Sequence, residues 1–330
     1  MFAGALGAAV ATRWIARRWS RFDLNDKVVV ITGGARGLGL VMARQLVELH
    51  AKVAICARDE GELNRARADL EARGGQVLAV QTDVTDRDQL LRFLQEVRDE
   101  LGPIDVLVNN AGVMDVGPVE HMSRADYERA MATHFWAPLH ATLAVLPQMR
   151  ERGEGRIVNI TSIGGKIAVP HLLPYSASKF ALVGLSEGLR AELAKDGIRV
   201  TTVVPGLMRT GSPPNAMFKG QHRAEYAWFA VAGSLPLTSM RAERAAARII
   251  EAMRHGDPEV VPSLQAKLAL KVHALAPGLA QRALGLANRL LPAPGGVGAE
   301  RVAGRDSSSP VTSSVLTRAT ERAARRNNEL

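Results

Sequence analysis

From Lys27 onward, short runs of aliphatic residues alternate with longer stretches in which apolar positions recur every three or four residues. Lys27–Thr32 (KVVVIT) predicts a buried strand, followed by a glycine-rich turn and a helix to about His50. Val53–Cys56 predicts a second strand with a charged helix over Asp59–Arg73, and Val77–Gln81 a third with a helix over Asp86–Leu101. Ile104–Asn109 predicts a fourth strand, followed by a long helical stretch over about Ser123–Arg150. Arg156–Thr161 predicts a fifth, with a helix over Tyr175–Asp196, and Arg199–Val204 a sixth. A helix over about Met240–His255 leads to a short strand at Glu259–Val261. Strands that are apolar throughout are covered on both faces, so this alternation predicts an α/β fold built on a doubly wound parallel sheet. Such sheets bind ligands beyond the carboxyl ends of their strands. After the sixth strand, Val204–Gln221 is long, irregular and carries Pro205, Pro213 and Pro214, which predicts a mobile substrate lid.

Beyond Pro262 the pattern changes. Leu264–Ala276 and Leu279–Leu291 predict two amphipathic helices separated by Pro277–Gly278. In the second, Leu279, Ala283, Leu286 and Leu290 share one face, and Gln281, Arg282, Gly285, Asn288 and Arg289 share the other. Pro292–Gly298 reads as a linker and the Ser/Pro/Thr-rich Ser307–Ser314 as disordered. The chain therefore divides into an N-terminal segment (1–22), a sheet-forming domain (23–262), an amphipathic helical extension (263–291) and a linker with a disordered tail (292–330).

Composition narrows the function classes. The 330 residues are 47% apolar, enough for a substantial core. Cys56 is the only cysteine, which excludes an internal disulfide and a thiolate metal cage; the histidines show no metal-site spacing, so no metal is expected. A reducing, cytoplasmic setting is expected. The net charge of +9 sits at the ends: residues 1–22 and 260–299 each carry +4 with no acid, and the tail from Glu300 carries +2, leaving −1 for residues 23–259. No nucleic-acid-binding motif accompanies this basicity. Basic, apolar, acid-free segments instead suggest a peripheral membrane surface. The run Phe2–Thr12 is too short to span a bilayer, its arginines follow the apolar residues rather than precede them as in a secretory signal, and Trp14 and Trp19 suit the headgroup layer. The alternative for Leu264–Leu291 is a cover packed on the sheet domain.

The chemistry-bearing residues fall at strand ends. Thr32-Gly33-Gly34-Ala35-Arg36-Gly37-Leu38-Gly39 links a strand to a helix. Gly33 permits a tight turn, Gly37 and Gly39 leave room for a pyrophosphate, and the helix N-terminus offers free N–H groups to phosphate. The second strand ends Ala57-Arg58 with no carboxylate to bind a ribose 2′-hydroxyl. Arg58 and Arg36 can pair with a 2′-phosphate, which predicts NADP over NAD; otherwise Arg58 caps a solvated edge. Asp83-Val84 ends the third strand, where Asp83 either accepts from the adenine amine or caps the next turn. Tyr175 and Lys179 lie four apart on one helical face. A nearby ammonium lowers a phenol's pKa toward neutrality. Ser162 ends the fifth strand, where its hydroxyl can bind a substrate oxygen beside that phenol.

Thr32–Gly39, Asn109-Asn110-Ala111-Gly112, Ser162, Tyr175 with Lys179, and Pro205-Gly206 with Thr210 together resemble the short-chain dehydrogenase/reductases in order and spacing over residues 25–262. The resemblance implies a Rossmann-type, seven-stranded parallel sheet and hydride transfer between nicotinamide and a carbonyl or alcohol (CH–OH) carbon. It implies Tyr175 as general acid–base, Lys179 as the group that lowers its pKa and holds the ribose, and Ser162 as the group that orients the carbonyl. Asn109, Ala111 and Gly112 would line the adenosine side, and Pro205, Gly206 and Thr210 the nicotinamide end. The sequence departs from the family at His134, which stands where an asparagine usually completes a proton relay. Its imidazole either carries protons or fills space in the helix. Met217, Phe218, Tyr226, Trp228 and Phe229 suggest a lipophilic substrate. The resemblance also implies a homo-oligomer paired through the helices after strands four and five. The alternative is a nucleotide-binding scaffold of the same fold that has lost turnover.

Overall fold

The first strand, β1 (Val28–Thr32), is buried along its whole length. Val29 and Ile31 face one core and Val28 and Val30 the other, as strand geometry requires of a sheet covered on both sides. The computed structural model describes residues 21–235, 238–309 and 317–330. The segment Phe2–Thr12, Trp14, Trp19 and the stretch 310–314 lie outside the described residues.

In chain order the elements are α1 (Gly37–Val47), β2 (Lys52–Ala57), α2 (Glu60–Ala72), β3 (Val77–Gln81), α3 (Arg87–Leu101), β4 (Ile104–Asn109), β5 (Asp115–Val116), α4 (Arg124–Met131), a π-helical turn (Ala132–Trp136), α5 (Ala137–Arg152) and β6 (Gly155–Ile160). They continue with α6 (Leu173–Leu193), β7 (Ile198–Val203), β8 (Leu207–Arg209), α7 (Ser212–Asn215), β9 (Met217–Phe218), α8 (His222–Ser234), β10 (Ser239–Arg241), α9 (Ala242–His255), β11 (Glu259–Val260), α10 (Leu264–Leu275), α11 (Pro277–Asn288), β12 (Val302–Ala303) and α12 (Arg318–Arg326). Seven strands form the central sheet in the order β11-β7-β6-β4-β1-β2-β3, every pair parallel. This is the predicted α/β Rossmann-type sheet. The strand order reverses between β1 and β4, and sheets of this kind take ligands at the carboxyl ends beside such a reversal. One core packs Leu40, Leu46, Ile249 and Met253 of α1 and α9 against the sheet; the other packs Phe93, Val97, Val145 and Met149 of α3 and α5. Asp59 caps α2, Asp86 caps α3, and Ser123 with Asp126 forms a capping box at the start of α4.

Four expectations are corrected. The long helix after β4 contains a π turn at Ala132–Trp136, around His134. The expected irregular lid Val204–Gln221 is folded: β8 pairs with β10, and β9 lies between β5 and β12. Pro277 opens α11 rather than separating the helices, because the first helical residue needs no N–H donor.

The linker and the described part of the tail are docked, not free. Gly220 N–H donates to Gly298 O at 2.8 Å, Gln221 Nε2 to Ala293 O at 2.9 Å, and Arg301 to the buried Asp115 at 2.8 Å. Ser307 bonds His222, and Thr320 bonds Ser234. Low hydrophobicity hid these contacts because they are polar, and each satisfies a group on the sheet domain.

Candidate active site

Gly33 turns the chain at φ 65°, and a Cβ there would lie 2.9 Å from Ala111 Cα. A Cβ on Gly39 would lie 2.6 Å from Asn110 Nδ2. Backbone closes both positions, Ala111 at Gly33 and the Gly33 carbonyl at Gly39, and so both demand glycine. Gly37 (φ 55°) differs, since the nearest atoms to an added Cβ are those of the Glu329 carboxyl. Arg36 stands at the N-cap of α1 without a side-chain cap bond, and no acid occupies the first turn. The helix start therefore has N–H groups that no side chain of its own first turn satisfies, a cradle that fits the phosphates of a dinucleotide. Leu38 is buried behind it.

Asparagine, not glycine, locks the turn to the rest of the sheet. Asn110 Nδ2 donates to Thr32 O and Gly33 O, each at 3.0 Å, and Thr32 Oγ1 accepts from the N–H groups of Asn110 and Ala111. Asn109 does not line the crevice. It is buried and donates to Asn159 at 2.8 Å; Asn159 in turn bonds Ser186, and Ser186 bonds Thr202. Neighbouring side chains on a strand point to opposite sides, which separates the two asparagines. Ala111 lies against Gly33, and Gly112 is exposed beside the His134 ring.

The predicted 2′-phosphate pair is split. Arg58 is exposed at the end of β2, whereas Arg36 bonds Glu62 at 2.8 Å and Asn215 at 3.0 Å. Asp83 caps no helix; Asp86 does that. Asp83 accepts from the N–H and hydroxyl of Thr85 in a local turn, with Val84 buried behind it. Pro205 O accepts from Ile163 N–H, Gly206 packs against Ser263 at the start of α10, and the buried Thr210 shares a hydrogen bond with Ser212. These residues border the crevice from the β7 side.

Ser162, Tyr175 and Lys179 are brought together. Ser162 follows β6 and its hydroxyl accepts from Gly164 N–H at 3.0 Å. Tyr175 and Lys179 are successive turns of α6, with Lys179 Nζ 5.7 Å from the phenol ring centre. Burial pushes the Tyr175 phenol up, and a hydrogen bond with Ser162 pulls it partly back. Burial also lowers Lys179 to about 7, with its ammonium donating to Ile160 O at 2.8 Å. The expected lowering of the phenol by Lys179 is therefore absent from this arrangement. The ammonium is turned to a carbonyl, and both charged forms are disfavoured by the same dry surroundings.

His134 is fully buried. Ser178 Oγ donates to Tyr175 O at 2.9 Å, so at its 2.7 Å contact with His134 Nδ1 it accepts. His134 Nε2 accepts from Val113 N–H at 3.1 Å. Both contacts are met by the neutral Nδ1–H ring, and burial and the Lys179 charge hold its pKa well below the usual imidazole range. With both nitrogens engaged, the imidazole ties the β4 loop to α6 and meets the Tyr175 ring edge-on at 5.4 Å. In this arrangement the ring serves as a hydrogen-bonded tie between the β4 loop and α6. On the substrate side, Phe218 and Phe229 are core residues, packed with Val116 and Leu172; Tyr175, Tyr226 and Trp228 flank that cluster. Met217 is partly buried at the same place. Sequence reasoning gave Asn110 no role of its own within its motif and missed Glu62, Asn215 and Glu329, whose partners lie far away along the chain.

The model of the short chain dehydrogenase family matches residues 27–217. A ketoacyl reductase, HetN of Nostoc, is 39% identical over 56% of this chain and 64% of its own, so the match spans just under two thirds of that relative. A short-chain dehydrogenase/reductase of Burkholderia phymatum solved with NAD is 25% identical, with a TM-score of 0.71 over 78% of this chain and 96% of that one. A gluconate 5-dehydrogenase of Burkholderia cenocepacia solved with NADP and tartrate is 26% identical, with a TM-score of 0.62 over 73% of this chain and 95% of that one. With the β1–β4 crevice, the glycine cradle and the serine–tyrosine–lysine cluster in place, the chain belongs to the short-chain dehydrogenase/reductase family of oxidoreductases.

Proposed function

We propose that this chain is an NADP-dependent reductase or dehydrogenase of a lipophilic carbonyl or alcohol. The observation that carries this reading is the convergence of Ser162, Tyr175 and Lys179 beside an apolar cluster, at the crevice that holds the glycine cradle. The N–H groups at the start of α1 would hold the pyrophosphate, and Arg58 the 2′-phosphate. Pro205, Gly206 and Thr210 would border the nicotinamide end, and Lys179 the ribose. NADP bound there would supply or take up the hydride. The chain's own part is proton transfer and orientation. Ser162 holds the substrate oxygen, and Tyr175 gives it a proton during reduction or removes one during oxidation. A neutral phenol at rest suits reduction, since burial keeps that proton on Tyr175.

His134 does not speak for lost turnover, because its ring is consumed by packing bonds that leave Tyr175 in place. The NADP preference rests on Arg58 and on the missing acid at Ala57. Binding of NADPH and NADH to the wild type and to Arg58→Ala tests it. NADPH binds the wild type more tightly and loses that advantage in the variant; tighter NADH binding by the wild type contradicts it.

The exposed faces of α10 and α11 support the proposal of a peripheral membrane surface. Leu264, Leu268, Val272, Leu275, Leu279, Leu286 and Leu290 are exposed among Lys267, Lys271, Arg282 and Arg289. Of the two helices only Ala266 is buried, which favours a lipid-facing role over a cover on the sheet. An anionic lipid surface matches both the apolar face and the acid-free charge. Among the described residues no helix is long and apolar enough to cross a membrane. Trp136, Leu143 and Phe180 are exposed on or beside α5 and α6, the helices through which two copies are proposed to pair.

A further inference from the structure

The cradle at the start of α1 is not open to solvent. Gly37 N–H donates to Asn327 O at 3.0 Å. The Glu329 carboxyl accepts from Gly211 N–H and is the nearest group to Gly37. Asn328 Nδ2 donates to Ala35 O at 2.9 Å and Glu62 O at 2.7 Å, and Asn215 Nδ2 donates to Glu329 O at 3.0 Å. Asn327 and Glu329 are buried. An acidic side chain and a carbonyl thus sit where the glycine turn and helix N-terminus would meet phosphate oxygens. Two features fit a seat that also takes another occupant. Asn327 Nδ2 is buried with no hydrogen-bond partner, a costly arrangement in a permanent contact. Glu329 also sits beside Glu62 as well as Arg36, so the seat's positive charge is shared with a second acid.

We propose that residues 317–330 are a built-in plug of the dinucleotide seat, competing with the cofactor's phosphates for the N–H groups of Gly37 and its neighbours. The α12 helix delivers it. Thr320, Ala323 and Ala324 bury one face of that helix, and Thr320 bonds Ser234 of α8 at 2.6 Å. The tip of the segment can leave the cradle while α12 stays docked. In this state the chain holds back cofactor binding until nucleotide is abundant enough to displace the tip. The inference rests on the reading of the glycine turn as a dinucleotide seat, and the test separates the two.

NADPH and NADH affinities are measured by calorimetry for the full chain and for Asn328→Ala/Glu329→Ala. Hydrogen exchange of the full wild-type chain is followed with and without saturating NADPH. The plug predicts about tenfold tighter NADPH binding by the variant. It also predicts that NADPH increases exchange at residues 326–330 of the wild type while Gly37 stays protected. Equal affinity in the two proteins, or a tail that keeps its protection with NADPH bound, overturns the plug and leaves the cofactor reading intact. Binding of neither nucleotide by either protein overturns the seat itself, and the plug with it.

Discussion

Single residues carry the electrostatics of the site, and Glu329 gives the sharpest handle. Burial raises its carboxyl to about 7, against the opposing pull of Gly211 N–H and the Arg36 charge and with a further push from Glu62. A carboxyl raised in the docked state favours docking while it is protonated. Docking is therefore strongest below its ordinary value near 4.5 and is lost as pH climbs through about 7. Glu329→Gln keeps the neutral form at every pH. NADPH should bind the wild type and Glu329→Gln nearly alike at pH about 4.5, and the wild type should gain more than about tenfold over the variant by pH about 8.5. A pH-independent ratio between the two would contradict the assignment. Comparison with the variant cancels titration of the nucleotide's own phosphate.

At the scale of elements, α10 and α11 make the clearest prediction. Their exposed leucines and four cations should bring the protein down with anionic vesicles at low salt and leave it in solution with neutral ones. Changing Arg282 and Arg289 to Glu should weaken that sedimentation; equal recovery in the supernatant for all samples would mean the helices serve another partner. These helices were legible in the sequence, as was the sheet. Uninterrupted runs such as VVVIT in β1 identify strands covered on both faces, and glycines between a strand and a helix identify the cradle. What was not legible depended on direction or distance. Adjacent Asn109 and Asn110 look equivalent in sequence, but the strand turns one into the core and the other to the glycine turn. The π turn that carries His134 leaves no mark in the apolar pattern. The tail shows few apolar residues, and its contacts with Ala35 and Gly37 span almost the whole chain and that with Gly211 118 residues, so no local signal marks them.

For the whole molecule, the sheet brings three separate stretches to one crevice: the β1 turn, the end of β6 with α6, and the segment after β7. The C-terminal extension then crosses the same face. Arg301 reaches Asp115, β12 adds to β9, and the tail ends in the cradle. Cofactor seat, substrate-side cluster and extension are thus one assembly, proposed to transfer a hydride with Tyr175 as the proton donor. The most direct measurement is NADPH oxidation with a panel of hydrophobic ketones by the wild type and by Tyr175→Phe, with NADPH affinity recorded for both. The variant removes the proton donor and almost no volume, so turnover should fall by about 100-fold or more with cofactor affinity nearly unchanged. Substantial turnover by Tyr175→Phe would contradict the account.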